Sequence, residues 1–297
     1  MNERIKKVIK NPGLLFQTLG QRGFFNWMSD DMYLKLIYRC RYGEKLNLDN
    51  PQKFNEKLQW LKINNRRPEY SLMVDKYEAK KYVANIIGEE YIIPTLGVWD
   101  KFEDINFDEL PEQFIIKPTH DSGGYAICKD KKSFDFKSAK KKLKRSLKTR
   151  YFYNAREWPY KNVKPRIIAE ELMIDKAYPR LRDYKFFCFN GEVKVMYVTS
   201  DRDVDMRLDF FDKEFNHMPF GCGYKQSDKT IEKPEHFEKM VELAEKISQG
   251  IPHARVDFYN INGKIYFGEV TFFHWSGMVP IEPVEWEYKL GSWIQID

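Results

Sequence analysis

Cysteine is scarce in this sequence, and its scarcity limits the kinds of site that the chain can contain. The 297 residues include only four cysteines, and no two of them have the short spacing of a zinc or iron–sulfur motif. Their wide separation is also untypical of a secreted disulfide framework. The composition therefore predicts four free thiols in a reducing compartment, which favours a cytoplasmic location. They are Cys40, Cys128, Cys188 and Cys222.

Long apolar runs are missing as well. No segment approaches the roughly 20 apolar residues that are needed to cross a bilayer. The N-terminal stretch MNERIKKVIKNPGLLFQTLG is basic, but Pro12, Gln17 and Gly20 interrupt its apolar residues, so it lacks the continuous core of a signal peptide. We therefore expect at most a peripheral contact with a membrane.

A strong net charge is absent: 50 basic and 44 acidic residues leave a formal charge of only +6. Much of this excess lies in residues 137–150, KSAKKKLKRSLKTR. As a helix, this segment would place Ala139, Leu143 and Leu147 on one face and the lysines on the other. A solvated helix face and a site for nucleic acid, anionic lipid or acidic glycan all remain open. We interpret it as support for an acidic substrate, and we expect no nucleic acid partner.

Local patterns predict a mixed α/β (α+β) chain. Asn50 and Pro51 resemble a helix cap and first turn, and DKYEAKKYVANIIG reads as a second helix that starts near Asp75 and ends at Gly88. Three β-rich runs follow, EEYIIPTLGVW, EQFIIKP and PRIIAEELMID. Asn190 and Gly191 form the favoured two-residue hairpin turn within FFCFNGEVKVMYVTS.

The most informative chemistry lies in residues 253–277, HARVDFYNINGKIYFGEVTFFHWSG. A three-residue loop over residues 261–263 would place Asp257 opposite Phe267 and Arg255 opposite Glu269. In that register the two carboxylates share a face with Arg255 and lie diagonally, about 7 to 8 Å apart. They could hold Mg²⁺, which takes one or two carboxylates together with substrate phosphates. The alternative is that Arg255 pairs with Glu269 across the sheet.

Two further segments are candidates for nucleotide binding. In FIIKPTHDSGG, Lys117 supplies a point charge, and Ser122, Gly123 and Gly124 allow the backbone to approach phosphates closely. A simple glycine turn after a strand is the alternative, because the segment does not match the P-loop pattern. In IIAEELMID, acidic residues follow a buried strand, where one could accept a hydrogen bond from adenine; an exposed strand end is the alternative.

In chain order these elements resemble the ATP-grasp superfamily. The segments DKYEAKKYV, FIIKPTHDSGG, IIAEEL and RVDFYNINGKIYFGEVT resemble its first-lysine helix, phosphate loop, adenine hinge and metal hairpin. NPQKFNEKLQWLK, REWPYKNVKPRIIAEEL, DYKFFCFNGEVK and VEWEYKLGSWI are similar to the ATP-grasp group named after teichuronopeptide biosynthesis, which is associated with bacterial surface polysaccharides. The chain departs from the pattern at Thr271, where an asparagine is usual, and in the low glycine content of its phosphate loop.

The resemblance implies an ATP-grasp fold, in which two α+β subdomains clasp ATP beside an N-terminal helical region. It divides the chain into residues 1–74 (mainly helical), 75–111 (a helix and strand before the lid), 112–175 (the lid subdomain) and 176–297 (the C-terminal subdomain with the metal hairpin). The implied cofactors are ATP and Mg²⁺. The implied substrates are a carboxylate and an amine, here an amino acid and an acidic sugar or polysaccharide precursor.

The resemblance also assigns roles to individual residues. Arg255 would stabilise the transferring phosphoryl group, and Lys185 would join it. The residues expected to bind ATP are Lys76, Lys117, Ser122, Gly123, Gly124, Glu170, Glu171, Leu172 and Asp175. Those expected to bind metal are Asp257, Glu269 and Thr271. Ser276 and Gly277 would form a polar nest for the acceptor, and Trp158 and Tyr160 of the REWPY segment could stack on a sugar.

Other classes of function remain open. A nucleotide-sugar glycosyltransferase would use a D-x-D metal motif, and Asp201-Arg202-Asp203 and Asp203-Val204-Asp205 both match it. A non-catalytic nucleotide-binding module is a further alternative, because Thr271 is a weaker metal ligand than asparagine. His274 could act as a base, although an uncharged packing histidine is the simpler interpretation.

Overall fold

The described N-terminal part of the protein is helical. The structure, a computed structural model, describes residues 12–178, 180–200 and 205–296. Its first four helices are α1 (Pro12–Gln21), α2 (Asp30–Tyr42), α3 (Phe54–Asn64) and α4 (Glu69–Val74). Helix α3 begins later than the sequence predicted: Lys53, not Asn50, is its N-cap residue. The Glu56 carboxylate accepts hydrogen bonds from the backbone N–H groups of Gln52 and Lys53.

A small antiparallel sheet follows, which we call the lid sheet. Its strands and accompanying helices are α5 (Glu78–Ile87), β1 (Thr95–Trp99), β2 (Phe114–Pro118), β3 (Ala126–Cys128), α6 (Phe136–Leu147), α7 (Phe152–Ala155) and β4 (Ile167–Glu171). The strand order is β1-β4-β2-β3. Because β1 pairs with β4, the lid sheet begins before residue 112, where the sequence placed its boundary.

Strand alternation explains why the lid sheet has one apolar and one polar face. Phe114 and Ile116 of β2 are fully buried, and they pack in one cluster with Ala139 and Leu143 of helix α6. Since successive side chains of a strand point to opposite faces, Lys117 projects away from this cluster. The apolar stripe predicted for the basic helix is therefore confirmed, and Lys117 is free to face another part of the protein.

A larger antiparallel sheet, the main sheet, forms the C-terminal half. The remaining elements are β5 (Asp183–Phe189), β6 (Glu192–Ser200), β7 (Arg207–Phe211), β8 (Gly221–Cys222), α8 (Phe237–Ile247), β9 (His253–Ile261), β10 (Lys264–Thr271), β11 (Ile281–Glu282) and α9 (Glu285–Trp293). The strand order is β10-β9-β5-β6-β7, and β8 pairs with β11. The Asn190-Gly191 turn between β5 and β6 is confirmed, with positive φ at both residues (51° and 83°).

The apolar side chains form separate clusters that position the cleft between the two sheets. The largest cluster joins the main sheet to helices α3, α4, α5, α8 and α9, so the end of the N-terminal helical region packs on the main sheet. The lid sheet has its own cluster with α6. Among the residues that the structure describes, no helix is long and apolar enough to cross a membrane.

The cap of helix α6 gives a test of the lid. The Asp135 carboxylate accepts a hydrogen bond from the backbone N–H of Ser138, 2.9 Å away. We expect Asp135→Ala to lower the free energy of unfolding by about 1 kcal/mol, because the helix loses a cap. Urea denaturation measures the change. Asp108→Ala, at an exposed position before β2, should change stability by less than about 0.5 kcal/mol; an equal loss in both variants would contradict the cap.

Candidate active site

The two sheets enclose a cleft. It occupies about 500 Å³, counted out to its open mouth. Its wall brings together side chains from α4 and α5, the lid sheet, the β9–β10 hairpin and the segment after α7. Its lining residues are Met73, Val74, Lys76, Ala79, Lys80, Ile93, Lys117, Tyr160, Glu170, Tyr259, Phe267, Gly268, Glu269 and Val270. Three lysines and two carboxylates make this wall positive on balance, as a polyphosphate would require.

A group of lysines meets on the lid side of the cleft. The buried Glu170 carboxylate binds Lys80 Nζ at 2.6 Å and Lys117 Nζ at 2.5 Å. Burial alone would raise the pKa of Glu170, but the two lysines outweigh it and hold that pKa below its usual value. Lys76 Nζ donates to the Asp121 carbonyl oxygen at 2.6 Å, and burial lowers its pKa.

These contacts correct the role expected for Glu170. Its carboxylate is bound by two lysines, so it is a charge partner of the phosphate lysines and not a free acceptor for adenine. The sequence analysis did not identify Lys80 as a site residue, although its position four residues after Lys76 predicts that both lie on one helix face.

The other residues expected to bind adenine and ribose follow Glu170. Glu171 is the last residue of β4, and Leu172 comes directly after it. The Asp175 carboxylate, expected to bind ribose, accepts hydrogen bonds from the backbone of Ala177, at 2.7 Å, and of Tyr178.

The loop after β2 is anchored at its start and open at its tip. His120 Nε2 lies 3.2 Å from the Ser146 carbonyl oxygen, and the Asp121 carboxylate binds the Ser146 hydroxyl. Ser122 and Gly123 are exposed, and Gly123 has a φ of +88° that favours glycine. A Cβ on Gly124 would come within 2.8 Å of Pro118. Gly123 is therefore favoured by its backbone conformation, and Gly124 by the side chains packed against it.

The β9–β10 hairpin has a different register from the predicted one. Its turn has two residues, Asn262 and Gly263, because Ile261 pairs directly with Lys264. Phe267 consequently pairs with Phe258 rather than with Asp257. In this register alone, Asp257 would face Gly268.

A β-bulge at Gly268 restores the carboxylate pair. The bulge shifts the ladder by one residue, so that Glu269 pairs directly with Asp257 and Thr271 with Arg255. A Cβ at Gly268 would lie only 3.0 Å from the Asp257 carbonyl oxygen, so the tight bulge requires glycine. The carboxylates are therefore brought together, as predicted, but they are direct rather than diagonal neighbours.

Arg255 holds this hairpin face together. Its Nε and Nη2 donate to the two Asp257 oxygens at 2.7 and 2.8 Å, and Nη2 also reaches Glu269 at 2.8 Å and Thr271 at 3.1 Å. Lys185 Nζ forms a further ion pair with Asp257. The alternative pairing of Arg255 with Glu269 is thus present, together with the pairing to Asp257.

Glu269 is the accessible member of the pair. Its side chain is 44% exposed, whereas that of Asp257 is 2% exposed. Desolvation would raise the pKa of Glu269, but Arg255, Lys185 and the cleft lysines lower it to about 2. Within the described ranges, no group of three or more His, Cys, Asp and Glu side chains is arranged to hold a metal. The hairpin therefore offers two carboxylates and one hydroxyl.

His274 lies against Arg255 and is not a free base. Its Nδ1 is 3.1 Å from Arg255 Nη1, and since a guanidinium can only donate, Nδ1 is the acceptor. Burial and the adjacent Arg255 hold the pKa of His274 well below its usual value. The ring packs on Trp275 and Phe187. These contacts support the interpretation of His274 as an uncharged packing residue.

The turn after His274 has an unusual backbone. Trp275, Ser276 and Gly277 have φ values of 43°, 59° and 60°, three successive residues in the left-handed region. Such conformations cost about 1 to 2 kcal/mol each outside glycine. The Ser276 hydroxyl donates to buried Glu157 at 2.5 Å. Its side chain is therefore committed to the protein, and the predicted polar nest would have to use backbone groups.

Two side chains of helix α3 donate hydrogen bonds to the carbonyl oxygens of this turn. The fully buried Lys62 Nζ donates to the carbonyl oxygens of Ser276 and Ala155, at 2.8 and 2.9 Å. Gln59 Nε2 donates to the Gly277 carbonyl oxygen at 2.9 Å. Sequence reasoning missed Lys62, Gln59 and Glu157, because positions so far apart in the chain give no spacing signal. In the REWPY segment, Tyr160 lines the cleft. Its stacking on a sugar stays a prediction.

The chain is similar in sequence to one protein family and in fold to several solved structures. A family model described as "TupA-like ATPgrasp" matches residues 56–295. No curated protein sequence matches the chain. Among solved structures, the D-alanine–D-alanine ligase from Bacillus anthracis complexed with ATP is 18% identical, with a TM-score of 0.40; the match covers 68% of this chain and 55% of that one.

Two other solved structures give similar values. The ATP-grasp ligase PsnB complexed with minimal precursor is 12% identical, with a TM-score of 0.39, over 73% of this chain and 60% of that one. The ADP complex of PurK, N5-carboxyaminoimidazole ribonucleotide synthetase, is 10% identical, with a TM-score of 0.43, over 82% of this chain and 57% of that one. The chain thus spans little more than half the length of these proteins.

The buried charges below the turn give a testable coupling. Burial lowers the pKa of Lys62 to about 8, and the neighbouring Glu157 charge opposes that shift. We expect Lys62→Met to lower the free energy of unfolding by roughly 3 to 5 kcal/mol, because Glu157 loses its compensating charge. The double variant Lys62→Met/Glu157→Gln should recover part of the loss. Additive effects in urea denaturation would show that the two charges do not interact.

Proposed function

The chain belongs to the TupA-like ATP-grasp family, and from that premise we propose that it is an ATP- and Mg²⁺-dependent carboxylate–amine ligase. The bond formed would be an amide on a bacterial surface-polysaccharide precursor, between an amino acid and a uronic acid. One observation carries this proposal: Glu269, which pairs directly with the buried Asp257 in the hairpin, lines the same cleft as Lys76 and Lys117.

The hairpin donors suit magnesium. Asp257 and Glu269 are carboxylates and Thr271 is a hydroxyl, so the set consists only of hard oxygen atoms. Mg²⁺ commonly takes one or two carboxylates and completes its shell with water and substrate phosphates. When bound, it would neutralise phosphate charge. Glu269, the exposed carboxylate, is the natural first ligand, with Thr271 as a weaker neutral partner.

The lysines and the loop after β2 would bind the phosphates. Lys117 projects from the lid sheet into the cleft, and Lys76 lies at the start of the α5 segment opposite Glu269. The exposed backbone of residues 122–124 can approach a phosphate closely because both glycines lack a Cβ. Since Lys117 binds Glu170 in the structure, phosphate would compete with that carboxylate. The end of β4, with Glu171 and Leu172, remains our proposed contact for adenine, and Asp175 for ribose.

The proposed reaction has two steps, transfer of a phosphoryl group to the first substrate and then formation of the amide. A carboxylate oxygen of the first substrate attacks the γ-phosphorus, the bond to the β-phosphate oxygen breaks, and ADP leaves. The amine nitrogen of the second substrate then attacks the acyl carbon, loses a proton to solvent, and inorganic phosphate leaves. Arg255 and Lys185 would stabilise the transferred phosphoryl group and the tetrahedral oxyanion by charge and hydrogen bonds. No protein nucleophile is needed.

The acceptor would lie at the left-handed turn. Since the Ser276 hydroxyl is bound to Glu157, the turn can recognise an anion through its backbone rather than through that side chain. The Ser276 and Met278 N–H groups already donate to the carbonyl oxygens of Phe273 and Trp275, at 2.8 and 3.0 Å, so the Gly277 N–H is the donor that we propose for a carboxylate. Gly277 is the residue we propose to face the acceptor.

The glycosyltransferase alternative gains no support. Asp201 and Asp203 of the D-x-D motifs lie outside the described residues. Asp205 is exposed and forms an ion pair with Arg207 at 2.6 Å. The carboxylates that share a face with Arg255 belong to the hairpin and not to these motifs.

A cytoplasmic location fits the proposed reaction. All four cysteines are free thiols, as expected in a reducing compartment. ATP is supplied there, and the substrates we propose are small molecules or a polysaccharide precursor, with no nucleic acid partner.

Substitution of the hairpin carboxylates tests the proposal. Asp257→Asn and Glu269→Gln should each lower turnover at least about a hundredfold, because charge stabilisation of the phosphoryl transfer is lost. The assay follows ADP release from ATP and Mg²⁺ with glutamate and glucuronate or galacturonate derivatives. Glu192→Gln, a matched change at an exposed position of the same sheet, should leave turnover unchanged.

Two results would contradict this account. Wild-type protein that releases UDP from a nucleotide sugar without using ATP would contradict the ligase assignment. Full turnover in Glu269→Gln would contradict the role of the hairpin.

A further inference from the structure

Helix α6 carries a stripe of unpaired positive charges. The side chains of Lys137, Lys141, Arg145 and Lys148 are exposed, and they have no ion-pair or hydrogen-bond partner within the described part of the chain. Their spacing of four, four and three residues places them on one helix face, over about 16 Å. We call these four residues the basic stripe. A surface that leaves four adjacent cations uncompensated favours contact with an extended anion.

The neighbouring cations of the same helix behave differently. Lys140 and Lys144 both bind Glu103, at 2.9 and 2.5 Å, and Lys142 Nζ donates to the Tyr125 carbonyl oxygen at 2.6 Å. The helix therefore compensates the charges that face the rest of the lid. The basic stripe is the part that it leaves uncompensated.

A groove runs beside the stripe. It has a volume of about 960 Å³, counted out to its open mouth, and lies between strand β3 and helix α6, with Tyr125, Lys129, Ser138 and Lys142 in its wall. Its two carboxylates accept local hydrogen bonds: Asp135 caps α6, and Asp130 accepts from the Lys132 N–H and the Ser133 hydroxyl. Tyr125 is 46% exposed, and Lys142 lies 4.8 Å from its ring centroid. An exposed aromatic ring with adjacent lysines and a hydroxyl suits a sugar ring that carries a carboxylate.

The stripe also adjoins the loop that we propose to cover the phosphates. Its last member, Lys148, lies between Ser146 and Thr149, whose carbonyl oxygens both contact His120 Nε2, at 3.2 and 3.1 Å. A chain bound along the stripe would thus end beside the start of this loop. The surface could guide a long acceptor toward the cleft.

We propose that the basic stripe and its groove bind the acidic polysaccharide chain that carries the acceptor group, outside the cleft where bond formation takes place. This inference rests on the proposed function, and it adds a second point of contact for a polymeric substrate. A basic surface can also bind anionic lipid by charge alone. We favour the polysaccharide because the stripe adjoins both a groove with an exposed tyrosine ring and the loop proposed to cover the phosphates.

A direct binding experiment tests the proposal without turnover. The probe is an end-labelled oligogalacturonate, a linear polycarboxylate, and its dissociation constant is measured by fluorescence anisotropy at low salt. The stripe variant is Lys137→Gln/Lys141→Gln/Arg145→Gln/Lys148→Gln. Loss of four favourable contacts should weaken binding by about tenfold or more, and added salt should reduce the difference.

A matched control removes four charges elsewhere. Lys45, Lys81, Lys225 and Lys264 are exposed and scattered over the surface, so their fourfold change to Gln lowers the net charge equally. It should weaken binding by less than about twofold. In the ligase assay, the stripe variant should raise KM for the oligomer and leave KM for ATP and for monomeric galacturonate unchanged.

Three results would overturn the inference. The first is that the control variant loses as much affinity as the stripe variant. The second is that oligothymidylate or phosphatidylglycerol vesicles bind as tightly as oligogalacturonate, with the same dependence on the stripe. The third is that the wild type fails to bind oligogalacturonate. Failure of the proposed function is distinct, because it would appear as absent ADP release while the binding assay needs no ATP.

Discussion

The site depends on the contacts of one buried guanidinium. Arg255 binds both oxygens of Asp257, one oxygen of Glu269, the Thr271 hydroxyl and His274 Nδ1. A buried cation is costly unless it is paired and hydrogen-bonded, and here every contact is made by the hairpin or the turn after it. Arg255 thereby holds two carboxylates side by side and connects the hairpin to the left-handed turn that follows His274. A bound cation would then compete with Arg255 for the Asp257 and Glu269 carboxylates, and bound phosphates would compete with those carboxylates for Arg255.

The N-terminal helices complete the site from outside the two sheets. Helix α3 supplies Lys62 and Gln59, which bind the carbonyl oxygens of the left-handed turn. They support a turn that holds two strained non-glycine residues, Trp275 and Ser276, beside the buried Glu157. Helix α3 of the N-terminal region therefore helps to hold the turn at which we propose that the acceptor binds.

Local features were predictable because their signals lie within a few residues. The Asn190-Gly191 turn and the apolar stripe of α6 follow from turn chemistry and helix periodicity alone. The hairpin shows the limit of this reasoning. A turn one residue shorter than predicted was compensated by a bulge at Gly268, so the right carboxylates met through the wrong register. The glycine within the strand was the available signal for the bulge.

Contacts between distant segments could not be predicted. Glu170 pairs with Lys80 and Lys117, and Glu157 meets Ser276, only because the fold brings separate segments together. The surroundings of each group then set its charge. Two lysines keep the pKa of the buried Glu170 low, whereas burial and Arg255 lower the pKa of His274, so that its ring stays neutral and accepts a hydrogen bond. The side-chain contacts of Glu170 and Ser276 were not predicted for this reason. The resemblance pointed to segments of the chain, whereas the side-chain partners required the structure.

The central claim is that the Asp257–Glu269 pair is the metal site of a nucleotide complex. Titration of Mn²⁺ in place of Mg²⁺, followed by electron paramagnetic resonance with and without ADP, tests it most directly. We expect ADP to tighten Mn²⁺ binding in the wild type by tenfold or more, because metal and phosphates share one site. Glu269→Gln should abolish this tightening. Equal Mn²⁺ affinity with and without ADP, or an unchanged response in Glu269→Gln, would contradict the account.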